Sequence, residues 1–245
     1  MKTNRYLVPL VVVLSLYGCG KGKPGVEDTT KPIVTTETTE PVQPVVPEAL
    51  KTAAYEYKGL ASDKMLTYSA QFSAEMGPED GTETILIQES KDGTVKYNVE
   101  RTGSLTLLGT DTLELSDKGV SLIASSQGVL DTPSVELPAD IAVGKEWKGT
   151  TTMSSGSRKF ESNSTFKVLR EEKVTVAAGT FDCLVIESHM TAKVSGSSTP
   201  SENGTAKTDL LAYYAKGVGM VKLSAKGVKT NGEKQDLKIE LKKIG

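Results

Sequence analysis

From about residue 65 onward the hydrophobic positions fall at every second place. Val95, Tyr97 and Val99 share one face while Thr94, Lys96, Asn98 and Glu100 take the other, and Leu237, Ile239 and Leu241 alternate in the same way against Asp236, Lys238, Glu240 and Lys242. Successive side chains of a strand point to opposite faces, so this period of two predicts half-buried strands with one wet face. The pattern places strands near residues 65–76, 82–91, 94–102, 104–115, 119–126, 145–155, 158–170, 172–178, 181–194, 205–215, 219–228 and 233–243. Asp80-Gly81, Asp92-Gly93, Asn203-Gly204 and Asn231-Gly232 are dipeptides that tolerate positive φ in tight turns, which predicts antiparallel pairing of consecutive strands. A flat sheet this wide would be unusual. The predicted fold is mainly β: a curved antiparallel meander, forming a half-barrel or partly closed barrel.

Helical spacing occurs once. Leu50, Ala53, Ala54 and Tyr57 stand at i, i+3, i+4 and i+7, with Pro47 and Glu48 at the start and Gly59 as a stop, predicting at most one short N-terminal helix over 47–58. Residues 20–48 carry neither period. They are rich in Thr, Pro, Val, Gly and Glu and hold Pro24, Pro32, Pro41, Pro44 and Pro47, five of the 10 prolines in the chain. Such a segment cannot bury a core and predicts a tether, reaching roughly 90 Å at about 3.1 Å per residue if fully extended.

The first 18 residues read as a secretion signal: Lys2 and Arg5 precede an apolar run from Leu7 to Leu16 that is too short, and too broken by Pro9, to serve as a permanent span. Leu16-Tyr17-Gly18-Cys19 resembles the bacterial lipobox, which implies cleavage before Cys19 and acylation of its thiol. Two or more acyl chains give a lasting anchor where one gives marginal binding. Gly20, in place of aspartate, resembles lipoproteins forwarded to the outer membrane of Gram-negative cells. The expected organisation is thus a signal peptide at 1–18, a lipidated cysteine and tether at 19–48, and one β domain at 49–245.

The net charge of -2 offers nothing to draw nucleic acid. With Cys19 assigned to the anchor, Cys183 is left without an intramolecular partner, so no disulfide framework is expected.

Val174-Thr175-Val176-Ala177-Ala178-Gly179-Thr180-Phe181-Asp182-Cys183, followed about thirty residues later by Tyr213-Tyr214-Ala215-Lys216-Gly217-Val218-Gly219-Met220-Val221-Lys222, resembles a group of uncharacterised bacterial envelope domains with the patterns V-x-V-P-A-G-T-F-x-C and Y-Y-A-x-G-V-G-x-V-K. Gly144-Lys145-Glu146-Trp147 also looks like that group, and Ala177 stands where it has proline. The resemblance implies a curved antiparallel sheet, distantly similar to the half-barrels of lipoprotein carriers and receptors, and it brings no catalytic residues. In the first motif Phe181, Cys183 and Val185 point one way and Leu184 and Ile186 the other, as in a strand covered on both faces or in one wall of a ligand cavity.

Catalytic chemistry finds little support. His189 is the only histidine, and six residues of strand separate it from Cys183 by roughly 20 Å, too far to share a metal. No Cys-x-x-Cys, His-x-x-x-His, His-Glu-x-x-His or G-x-S-x-G spacing occurs. Gly217-Val218-Gly219 with Lys222 lacks the helix a phosphate loop requires and reads as a turn or bulge, while Glu171-Glu172 and Glu79-Asp80 read as loop charge. Trp147, Tyr213, Tyr214 and Phe181 are the candidates for lining an apolar cavity, or else core plugs. The expectation is a membrane-anchored envelope lipoprotein, not an enzyme, without metal or other cofactor. It would bind a hydrophobic ligand or lipid, or an envelope protein, facing the periplasm from an outer membrane or standing on the cell surface. A structural or protein-interaction module is the alternative, and a hydrolase using His189 the remote one.

Overall fold

The computed structural model describes residues 45–61, 64–73 and 75–245; the expected signal peptide, Cys19 and nearly all of the expected tether lie outside the described residues. A 3-10 turn at Glu48–Leu50 leads into α1 (Ala53–Lys58), so the predicted helix is shorter and starts in a tighter turn. It stops at Gly59, whose φ of 74° is left-handed, as the sequence predicts.

Among the described residues twelve strands follow, every ladder antiparallel. The first six are β1 (Met65–Gln71), β2 (Glu79–Lys91), β3 (Thr94–Gly103), β4 (Asp111–Ser116), β5 (Gly119–Ser125) and β6 (Gly128–Pro138). The second six are β7 (Glu146–Ser155), β8 (Arg158–Val176), β9 (Gly179–Ser195), β10 (Gly204–Ala215), β11 (Gly219–Val228) and β12 (Lys234–Ile244). Each set is a meander, and β1 pairs with β12 to join them into one sheet ordered β6-β5-β4-β3-β2-β1-β12-β11-β10-β9-β8-β7.

The two free edges, β6 and β7, face each other across a seam without a ladder. Trp147 Nε1 on β7 donates to the Val135 carbonyl on β6 at 3.2 Å, and Ser154 Oγ meets Asp131 Oδ2 at 3.5 Å. The sheet is therefore a nearly closed barrel, with side-chain contacts standing in for the last row of backbone bonds.

Four features depart from the predicted pattern. Strand β6 is new: Pro133 lacks the N–H a ladder needs, and residues 130–133 fall in the register shift between Leu122 and Ala124, so no clean alternation survives in the sequence. The predicted strands 158–170 and 172–178 are one strand, β8, in which a bulge at Val168/Arg170 shifts the phase; Glu171, exposed, and Glu172, half-buried, are strand residues and not loop charge. Asp80-Gly81 lies inside β2, as does Glu79, because Gly81 lets Leu105 and Thr102 approach to 2.7 Å of where a Cβ would sit. Residues 104–108 form a 3-10 turn, not the start of a strand. Asp92-Gly93 is the tight turn expected, with φ of 52° and 76°.

The hairpin of β8 and β9 is long enough to bend at its bulge. Its tip crosses β10 and β11, and the Ala178 N–H reaches the Leu241 carbonyl on β12 at 3.4 Å. Val174, Cys183, Val185, Tyr213, Ala215 and Val221 form a small core there. The two sequence motifs thus pack together.

Candidate functional site: the barrel interior

The interior is built from the inward phase of the strands, closed at one mouth by α1, which packs against β5, β6, β10 and β11. Gly217 N–H donates to the Glu56 carbonyl at 2.9 Å, and the Gly59 backbone lies so close to Val218 that an added Cβ would stand 2.5 Å from its oxygen. This docking points Lys58 at the interior, where its Nζ meets Glu136 Oε2 of β6 at 2.6 Å. Burial disfavours that ammonium, but the Glu136 carboxylate more than offsets it and holds the lysine above its ordinary range.

A second charged group comes from β2, β3 and β4. Arg101 donates from Nε to Glu83 Oε2 at 2.8 Å and from Nη1 to Asp111 Oδ2 at 2.7 Å and the Gly109 carbonyl at 3.0 Å. Its side chain is 10% exposed. Burial alone would weaken the cation; the two carboxylates outweigh burial and hold it fully charged. Burial raises the Asp111 carboxyl, with the guanidinium opposing.

The opposite wall is hydroxylic. Thr151 of β7, Ser162 and Ser164 of β8, Ser188 of β9 and Thr208 of β10 line the interior. None makes a side-chain hydrogen bond to another described residue, although Thr151, Ser162, Ser188 and Thr208 are only 6%, 3%, 6% and 6% exposed. Between the two walls lie apolar groups, among them Leu137, Phe166, Ile186, Met220, Leu223 and Ile239. They enclose a cavity of ≈ 170 Å³.

Of the four aromatic candidates, Tyr214 lines this cavity, and burial raises its phenol. Trp147 stands behind the lining: it stacks on Phe166, centroids 4.9 Å apart and planes 8° from parallel, and ties the seam through its N–H. Tyr213 lies on the opposite face of β10 from Tyr214, in the small core under the hairpin tip. Phe181 packs at that tip and borders a separate groove beside α1 with Tyr57 and Lys216. Only one of the four faces the cavity.

The interior charges were missed, although a signal existed. Arg101 continues the apolar phase of Val95, Tyr97 and Val99, Glu83 continues that of Ile85, and Ser162 and Ser164 share the phase of Phe160 and Phe166. A polar side chain where the pattern demands an apolar one marks an interior that is not a simple core.

His189 is exposed on the outer face, with Nδ1 2.7 Å from Asp209 Oδ1 and Nε2 3.6 Å from Glu187 Oε2. Cys183 is buried, and burial pushes its thiol up to about 11. Among the described residues no group of three or more His, Cys, Asp or Glu side chains could hold a metal ion, and no helix is long and apolar enough to cross a membrane.

Fold and site together define a class: a nearly closed antiparallel barrel, plugged by one short helix, with a part-empty interior of mixed polarity. The DUF3108-like family model matches residues 130–232, a span that runs from β6 to the turn before β12 and takes in both sequence motifs. Over that span the chain is similar to the DUF3108-like family. No curated protein matches the chain.

Among solved structures, the chain is similar to a proposed exported protein with a YmcC-like fold from Bacteroides fragilis, at 16% identity and a TM-score of 0.48, covering 75% of this chain and 96% of that one. It is similar to a proposed lipoprotein of Parabacteroides distasonis at 13% identity and a TM-score of 0.48, over 79% and 99% of the two chains. The hypothetical lipoprotein YmcC of Escherichia coli shares 12% identity with a TM-score of 0.31, over 76% and 86%.

Proposed function

We propose that this chain is a non-enzymatic domain of the bacterial envelope, held to a membrane by lipid on Cys19, that binds the apolar end of a small amphipathic molecule inside its barrel. The observation that carries the proposal is the unfilled interior. Folded proteins pack their cores to the density of organic crystals and leave few voids larger than a water molecule, whereas this barrel keeps ≈ 170 Å³ open among Phe166, Ile186, Leu223 and Ile239 and the charged and hydroxylic walls.

Size limits the occupant. Pockets for drug-sized ligands span about 300–1,000 Å³, and at roughly 30 Å³ per water the interior corresponds to about five or six waters. A short tail or the end of one acyl chain fits; a whole diacyl lipid would need the β6/β7 seam to part. The anchor and its face rest on Leu16-Tyr17-Gly18-Cys19 and the Pro-rich tether, which would lift the barrel off the bilayer.

The test is native mass spectrometry, with extraction and identification of bound small molecules, on the full chain carrying Cys19→Ser, exported and purified without detergent. A stoichiometric apolar or amphipathic adduct is expected. A ligand-free mass would count against interior binding and move the search to an envelope protein as partner.

A further inference from the structure

The lining of the cavity has a chemical bias. Its two cations are already engaged, Lys58 with Glu136 at 2.6 Å and Arg101 with Glu83 and Asp111 at 2.8 and 2.7 Å. Among the described residues three carboxylates thus face two ammonium or guanidinium groups, and no lining cation is left over for an incoming anion. A carboxylate or phosphate entering here would give up its hydration without gaining a counter-charge, which is among the costliest exchanges in a protein interior.

The hydroxyls have the opposite need. Thr151, Ser162, Ser164, Ser188 and Thr208 come from four consecutive strands, β7 to β10, and point into the cavity without side-chain hydrogen-bond partners among the described residues. A hydroxyl both donates and accepts, so such a wall recognises neutral groups of the same kind, and leaving it unmatched forfeits hydrogen bonds these groups would make in water. The apolar side chains beside it accommodate a short tail.

We infer that the barrel interior selects an uncharged amphiphile, a hydroxyl- or amide-bearing head on a short hydrocarbon tail, and rejects the acid of equal carbon number. This rests on the reading that the interior is a binding site.

Three six-carbon probes separate the two claims: 1,2-hexanediol, hexanoate and hexylamine, each titrated at pH 7 into the ¹⁵N-labelled full chain carrying Cys19→Ser and followed at the amides of Ile186, Leu223 and Ile239. The diol is expected to bind at least about ten-fold tighter than hexanoate, since the acid must bury an unpaired charge. Ser162→Ala combined with Ser188→Ala is expected to weaken the diol about five-fold, with the amide spectrum otherwise intact to show that the fold persists. If hexanoate or hexylamine binds as tightly as the diol, or the double alanine variant loses nothing, the selectivity inference is overturned while interior binding stands. If none of the three shifts these amides, the binding-site reading itself is overturned.

Discussion

Arg101 sits where the alternation of β3 calls for another valine, and the structure shows what compensates: two carboxylates and a carbonyl occupy its Nε and Nη1 donors. Removing the guanidinium leaves Glu83 and Asp111 facing each other in a part-dry interior. Arg101→Met is therefore expected to cost about 3–5 kcal/mol, read as a lowered midpoint in urea unfolding; a change under about 1 kcal/mol would mean the interior is wetter than described. Cys183 behaves as a small hydrophobe, its thiol raised to about 11 by burial first and by Asp182 and Glu172 after it. Iodoacetamide at pH 8 should alkylate it slowly in the native protein and rapidly in urea, and equal rates would contradict its burial. On the outer face, the hydrogen bond to Asp209 is the main cause that raises His189 above its ordinary 6.5. A raised folded value means a stabilising contribution that is complete below the unfolded pKa and is lost as pH rises through the folded one; exposure and salt keep it small. An NMR titration should place the His189 midpoint above 6.5, and Asp209→Asn should bring it back towards that value.

At the scale of elements, the strands with one wet face were legible because a sheet side chain can face only two ways. β3, β11 and β12 appear nearly where the alternation puts them, and α1 ends at the glycine that signals its stop. What escaped was set by neighbours distant in sequence. Gly81 looks like a turn residue, yet its missing side chain admits Leu105. β6 is hidden by a proline that an edge strand tolerates, and β8 reads as two strands because a bulge reverses its phase halfway. The motifs were legible as a unit but not as a role: Val174, Cys183, Tyr213 and Val221 build a local core that seats the hairpin tip. Docking of α1 depends equally on close backbone approach, so Gly59→Ala must displace Val218 or strain a φ of 74°. It is expected to destabilise the fold by about 1–3 kcal/mol, measured by thermal or urea unfolding, while a neutral effect would show that the helix is not held as described.

At the scale of the whole molecule, closure follows from a pairing no local pattern announces, the ladder of β1 with β12, which turns two six-strand meanders into one barrel. Closure creates an inside. Because the inward phase carries serine, threonine and charge where bulkier apolar groups would fill the space, that inside stays partly open. The cavity candidates named from sequence were large rings, of which only Tyr214 faces it, since ring size says nothing about which side of a strand a residue takes once bulges intervene at Val168/Arg170 and Tyr213/Tyr214.

The most direct test of the account compares the Cys19→Ser chain with the same chain carrying Ala212→Leu as well, both purified without detergent and weighed by native mass spectrometry. Ala212 lines the cavity and is 3% exposed, so three added carbons must take up space inside it. The account predicts an adduct on the first protein and its loss, or a marked fall in occupancy, on the second, with circular dichroism unchanged. Equal occupancy in both, or an empty first protein, would contradict binding in the interior.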